Sequence, residues 1–110
     1  PKELISLVKS LNLKSFSLTD INCTTMSLDV FRLAKKVNIK VVLGVDFRNN
    51  ATQKFIMLAK DNLGFKNINI YLSEFLHQVN FAIPEKAKQI ENTVVVYPFE
   101  SFEVLLYYNF

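Results

Sequence analysis

The sequence has little of the material from which several common kinds of site are built. Its 110 residues include one Cys, one His, two Gly, three Pro and no Trp. A single cysteine cannot form an intramolecular disulfide, which fits a reducing compartment. No apolar run approaches the roughly 18 residues that a membrane-spanning helix needs, and no signal peptide opens the chain. We therefore expect a cytoplasmic protein with no membrane partner.

The same scarcity excludes several catalytic motifs. Gly44 and Gly64 lie too far apart in the chain for a phosphate-binding loop, and no Gly-x-Ser-x-Gly elbow occurs. His77 lies in a predicted helix far from Cys23, and a lone histidine has no partner to set its tautomer, so we expect it to be structural. A zinc site made from these two side chains would lack ligands.

The residues that are abundant point to a compact core. The length of 110 residues is enough for one domain, and hydrophobic residues make up 50% of the chain, which is enough to bury a core. The net charge is +3, but the lysines are scattered rather than clustered, so they indicate a solvated face more than a phosphate-binding surface. The 10 Phe and 4 Tyr follow strand or helix spacing and are most simply core, the alternative being a stacking platform for single-stranded DNA.

Apolar spacing predicts that helices and strands alternate with short connections. We predict helices at 4–11, from Thr25 or Ser27 onward, at 63–79 behind an Asn62 cap, and after 101; strands at 15–19, 41–45, 53–60 and 93–97; and a turn at 47–50. This order is typical of an α/β fold with a mostly parallel sheet or barrel. Residues 1–110 form one domain in this interpretation, and the apolar end at 103–110 predicts a fragment of a longer chain.

Two acidic residues follow predicted strands. Asp20 comes after the first strand and Asp46 after the second, and function gathers at the carboxyl ends of strands in parallel α/β folds. If the strands are neighbours, the two carboxylates would face one crevice and share a metal ion or an activated water. The alternative is that Asp20 caps the next turn and Asp46 is a solvated loop residue.

Three segments, taken in order, carry a resemblance to a known family. They are LISLVKSLNLKSFSLTDIN at 4–22, AKKVNIKVVLGVDFRN at 34–49 and FIMLAKDNLGFKNINIYL at 55–72. Together they resemble the PHP domain at the front of the bacterial replicative DNA polymerase III alpha subunit. The resemblance implies a distorted α/β barrel, of which this chain holds a part. In active PHP domains, clustered His, Asp, Glu and Cys ligands bind metal ions for phosphoester hydrolysis; in others the domain is structural and helps to dock a proofreading exonuclease.

The sequence departs from the family's metal-binding pattern at several positions. Ile21 stands where the resemblance implies a histidine, Asp46 where it implies a glutamate, and neither Cys nor His occurs at 97–98. The family's opening strand, with its His-x-His pair, would precede residue 1. Because a multi-metal site tolerates few lost ligands, we expect a degenerate site with Asp20, Asn22 and Asp46 as remnants of the crevice. No cofactor is expected, and Zn, Mn or Mg only if the site is active.

The resemblance therefore predicts a non-catalytic scaffold and docking module of a DNA-directed DNA polymerase, a nucleotidyltransferase of DNA replication. The polymerase site itself would lie downstream. Expected partners are the remainder of the polymerase chain, a proofreading exonuclease subunit, and DNA through the full-length parent. Arg48 and Asn49 are candidates for contacts within that parent, or else ordinary loop residues. The alternatives are a metal-dependent phosphoesterase that acts on nucleotide or DNA ends, and an unrelated α/β ligand-binding domain.

Overall fold

The computed structural model describes residues 1–99 of the chain, and the helix expected after residue 101 lies outside that range. Within it, helices and strands alternate largely as the sequence predicts. The elements in chain order are α1 (Lys2–Ser10), β1 (Ser15–Ile21), α2 (Ser27–Lys36), β2 (Lys40–Asn49), β3 (Thr52–Ala59), α3 (Asn62–Leu76) and β4 (Thr93–Val96).

The four strands form one sheet in the order β1-β2-β3-β4. Strands β1 and β2 are parallel and are joined through α2, whereas β2–β3 and β3–β4 are antiparallel. The prediction of a mostly parallel sheet is therefore wrong, and the described residues form a mixed α/β fold. The reason lies between β2 and β3, where only Asn50 and Ala51 separate the strands. So short a connection permits a hairpin and no crossover.

Strand β2 is longer than the sequence indicated. The predicted strand ended at Val45, followed by a turn at 47–50, but β2 continues to Asn49. Its last residues still alternate between apolar Phe47 and polar Asp46 and Arg48, as a strand with two different faces requires. The register against β3 shifts between Phe47 and Arg48, which marks a bulge at this end of the hairpin.

Both predicted helix caps also need correction. Helix α2 starts at Ser27 behind Met26, which makes no side-chain capping bond, so neither Thr25 nor Ser27 is the cap. Helix α3 is capped by Asp61 rather than Asn62: a carboxylate oxygen of Asp61 accepts a hydrogen bond of 2.9 Å from the Gly64 N–H. Such a carboxylate satisfies a free amide and complements the positive end of the helix dipole.

All three helices pack against one face of the sheet. Residues 41, 43, 45 and 47 of β2 alternate onto that face and are buried. The first pair joins a cluster with α1 and α2, and the second joins a cluster with β3, α3 and the segment after it. Phe55 and Tyr71 are buried in this second cluster, with Phe75 packed against it and Phe65 against the first, so the prediction that these four aromatics are core is confirmed.

The segment between α3 and β4 has little regular structure but is firmly attached. Ile83 and Ala87 are buried in the second cluster. The Ala87 N–H donates to the Tyr97 hydroxyl at 3.0 Å, and the Lys88 N–H donates to the Tyr71 hydroxyl at 3.2 Å. The segment thus packs against β3 and α3 and covers part of the second cluster.

We call the opposite face of the sheet the open face. It carries Val42, Gly44 and Asp46 of β2. The register of the neighbouring strands adds Ile56 and Leu58 of β3 and Val94 and Val96 of β4. Val94 and Val96 are each 45% exposed. The open face therefore combines exposed apolar surface with the one buried acidic side chain of the described residues.

Asparagine occupies every described position with positive φ. Asn12, Asn22, Asn38, Asn50 and Asn92 have φ between 52° and 63°, and neither glycine does. Asparagine tolerates this left-handed region better than other residues with a Cβ, because its short side chain can hydrogen-bond locally. The chain thus makes its turns without glycine.

Candidate functional site

Asp46 lies inside β2 and is nearly enclosed. The residue is 6% exposed, and its two carboxylate oxygens are both engaged. Arg48 Nε donates to Oδ1 at 3.1 Å and Arg48 Nη2 donates to Oδ2 at 2.9 Å. Gln53 Nε2 donates to Oδ2 at 3.1 Å. The alternative that Asp46 is a solvated loop residue is therefore wrong.

Strand geometry places these three side chains together. Arg48 follows Asp46 by two positions and so returns to the same face, and Gln53 of β3 is the register partner of Arg48. The guanidinium forms a two-pronged pair with the carboxylate, an arrangement that fixes both groups. The hydrogen bond to Asp46 raises the pKa of Arg48 above its ordinary value, against a smaller lowering by burial.

This pairing leaves Asp46 little capacity for another cation. An ionised carboxylate has about four lone-pair positions, and three hydrogen bonds already use most of them. Arg48 also brings a fixed positive charge to the place where a metal ion would bind. A metal could take both oxygens only after Arg48 moved away.

Asp20 does not share a crevice with Asp46. In the parallel pairing of β1 with β2, Asp20 stands opposite Val45 and Ile21 stands opposite Asp46. Because successive side chains of a strand alternate, Asp20 is directed to the helix-covered face and Asp46 to the open face. The expectation that the two carboxylates face one crevice is wrong. The side chain beside Asp46 is that of Ile21, which has no donor atom for a metal.

Asn22 has a different position from the one expected of a crevice residue. Its side-chain Nδ2 donates to the Arg48 carbonyl at 2.9 Å, and its Oδ1 accepts from the Arg48 N–H at 3.0 Å. Its own N–H donates to the Asp46 carbonyl at 3.0 Å. The side-chain amide therefore acts as one more peptide group of β1 and continues the pairing with β2 past the end of the strand.

The Asn49 side chain makes a similar pair of hydrogen bonds, with the backbone of Ile83. Its Nδ2 donates to the Ile83 carbonyl at 2.8 Å, and its Oδ1 accepts from the Ile83 N–H at 2.6 Å. Arg48 and Asn49 are thus strand residues with partners inside this domain. The alternative that they are ordinary loop residues is wrong. Asparagine amides hold this strand end in place, which was not predicted from the sequence.

The other candidate residues lie apart from Asp46. His77 is exposed and caps the carboxyl end of α3, which ends at Leu76, so its predicted place inside the helix is wrong. Cys23 is a free, half-buried thiol in the loop after β1. Within residues 1–99, no three His, Cys, Asp or Glu side chains come together as a possible metal site. No helix in that range is long and apolar enough to cross a membrane.

Comparison with known proteins gives two matches. The model of the PHP domain family matches residues 1–106. The chain is 26% identical over 97 residues to "DNA polymerase III subunit alpha" of Buchnera aphidicola subsp. Acyrthosiphon pisum (strain APS), a match that covers 78% of the chain and 8% of that relative. The chain therefore spans a small part of the length of this curated relative. No solved structure matches the chain significantly.

Proposed function

The chain belongs to the PHP domain family, and we propose from this premise that it is a structural and docking module of a replicative DNA polymerase with a degenerate metal site. The family match and the similarity to a polymerase III alpha subunit confirm the resemblance seen in the sequence. The role in docking and the loss of the metal site are inferences from the geometry at the end of β2.

The observation that carries the proposal is the pair between Arg48 and Asp46. Asp46 stands at the position where the resemblance implies a metal-binding glutamate, and a guanidinium now neutralises it. An internal cation gives a buried carboxylate the partner that a metal ion would otherwise supply, because an unpaired buried charge is costly. The described residues do not fit a metal centre: the neighbour of Asp46 is Ile21, and Asp20 is directed to the other face.

Domain organisation and partners follow from the same premise. We propose that residues 1–110 are part of one PHP domain whose distorted barrel is completed by further strands that extend the sheet at its edges and so enclose the open face. The partners would be the remainder of the polymerase chain, a proofreading exonuclease subunit and, through the full-length parent, DNA in the cytoplasm. Support comes from the exposed Val94 and Val96 on the open face and from a relative of which this chain covers 8%. The parent would carry the DNA-directed polymerase activity.

The competing function is a metal-dependent phosphoesterase that acts on nucleotide or DNA ends with Zn, Mn or Mg. It would require ligands from outside residues 1–99 and a displaced Arg48. The purified chain is dialysed against low-micromolar zinc and manganese, and bound metal is measured by elemental mass spectrometry. We expect no stoichiometric metal. Stoichiometric metal that is lost in Asp46→Ala, but retained in the exposed control Asp29→Ala, would favour the phosphoesterase and make hydrolysis the next assay.

A further inference from the structure

The end of β2 farthest from Asp46 has no strand beside it on one flank. Pairing between β2 and β3 extends only to Gly44 and Leu58, although β2 begins at Lys40. Beyond that point the chain leaves β3 and turns into α3. Residues 40–43 are therefore paired with β1 but have no register partner on the β3 side within the described residues. We call this gap the notch.

The backbone of β2 directs hydrogen-bonding groups into the notch. The Lys40 N–H donates to the Lys14 carbonyl and the Asp46 carbonyl accepts from Asn22, so the even-numbered residues of β2 use their backbone groups toward β1. Strand geometry then turns the N–H and C=O of Val41 and the N–H of Leu43 toward the notch, whereas the pairing of Gly44 with Leu58 engages the Leu43 carbonyl with β3. Such an edge is a template on which another extended chain can pair.

The notch is large and mostly apolar. It opens into a cavity of about 780 Å³ between the end of α2 and the start of α3, which lies within the size range of ligand-binding clefts. Phe31, Leu58 and Phe65 are among the side chains that line it. Phe31 is 39% exposed, so apolar area is available to an incoming side chain.

The charge around the notch is positive. Lys35, Lys40 and Lys60 line it, and none of them takes part in an ion pair within residues 1–99. The acidic side chain on this lining is Asp61, which already accepts from the Gly64 N–H at 2.9 Å and from Asn92 Nδ2 at 2.9 Å. The lysines therefore complement a ligand that brings its own carboxylates.

We propose that the notch binds an extended, acidic segment of a partner protein, which pairs its backbone with Val41 and Leu43. Its apolar side chains enter the cavity and its carboxylates meet the three lysines. This inference deepens the docking role proposed above and rests on it. Along β2, Leu43 lies about 10 Å and Val41 about 16 Å from Asp46, at roughly 3.3 Å per residue, so metal binding and peptide binding are measured at separate places on the strand.

The test uses the 110-residue chain and a fluorescein-labelled hexapeptide, Glu-Val-Glu-Ile-Glu-Leu, in which acidic and apolar side chains alternate as on a strand. Two control peptides are the same sequence with Lys for Glu, and the acidic sequence with alternate backbone amides methylated. We expect a saturable rise in fluorescence anisotropy, which reports binding, for the acidic peptide and not for either control peptide. In hydrogen exchange, that peptide should slow the Val41 and Leu43 amides, a readout that a nonspecific charge contact would not move.

Two charge reversals give the matched comparison. Lys40→Glu should weaken binding at least about tenfold, because it turns an attraction at the notch into a repulsion. Lys88→Glu makes the same change at an exposed position outside the notch and should leave binding unchanged. Circular dichroism verifies that both variants fold.

Absence of binding, equal binding of the lysine peptide, or no effect of methylation would each overturn the inference. A chain that dimerises, with concentration-dependent protection of Val41 that Lys40→Glu abolishes, would make a second copy the occupant instead. A chain that fails to bind peptide and also binds no metal refutes the notch alone. A chain that binds metal stoichiometrically while the peptide binds as expected refutes the degenerate site alone.

Discussion

Replacing Asn22 with alanine would remove the amide that pairs with both backbone groups of Arg48. Two hydrogen bonds are lost, at 2.9 and 3.0 Å, and the part-buried N–H and C=O of Arg48 lose these partners. Each such bond contributes roughly 0.5–1.5 kcal/mol net to stability. Alanine at the Asn22 φ of 52° adds about 1–2 kcal/mol of strain. The expected loss in free energy of unfolding is therefore about 2–5 kcal/mol.

Two further substitutions separate these contributions. Asn22→Gly removes the same hydrogen bonds without strain at φ, and we expect it to cost less than Asn22→Ala. Asn38→Ala introduces the same strain, at a φ of 60°, but removes no comparable pair of hydrogen bonds to the backbone. Its expected loss in free energy of unfolding is therefore about 1–2 kcal/mol.

Urea unfolding of the three variants and the parent, followed by circular dichroism and analysed by linear extrapolation, measures each difference. A loss of free energy of unfolding in Asn22→Ala that is no larger than the loss in Asn38→Ala would refute this prediction. That result would mean that the end of β2 is held in place without the Asn22 amide. The two hydrogen bonds between Asn22 and Arg48 would then contribute nothing net to the free energy of unfolding.

Two other predictions concern ionisable groups. Arg48→Gln should destabilise the fold by leaving Asp46 buried without its cation, and the double variant with Asp46→Asn should recover much of the loss; additive effects in the double-mutant cycle would contradict the pairing. Burial raises the pKa of Tyr71 above its ordinary value, so the folded state holds this proton more tightly than the unfolded chain. Stability from this group is therefore complete below about pH 10 and should fall as the pH rises through the raised pKa, a decline that Tyr71→Phe should reduce in urea titrations at several alkaline pH values.

Most elements of the fold could be predicted from the sequence because each carries a clear apolar period. The exception was the β2–β3 hairpin. Its connection contains Asn50 at positive φ but no Asn-Gly or Asp-Gly pair, which is the usual hairpin signal. Residues 45–48 alternate as a continuing strand does, but the prediction of a turn at 47–50 ended the strand at Val45. The prediction of a mostly parallel sheet then followed from the alternation of helices and strands.

The candidate site was harder to predict because it depends on register. The sequence predicted Asp20 and Asp46 directly after two strands; those strands are neighbours, but each aspartate lies within its strand. A single residue of register decides which face each side chain takes, and no local pattern fixes that offset between strands joined through a helix. For the same reason the partners of Asp46 were missed: Gln53 meets it only across the bulged end of the hairpin.

The use of asparagine at every described left-handed position also affects the unfolded chain. Glycine has the widest freedom before folding and so loses the most entropy when a turn is fixed. A residue with a Cβ that accepts the same φ without strain lowers that entropy loss, by about 0.4–1 kcal/mol at a compatible site. Five such positions make the disordered ensemble narrower than glycine turns would allow. The backbone conformations at these positions are therefore already restricted in the unfolded chain, before β2 pairs with β3.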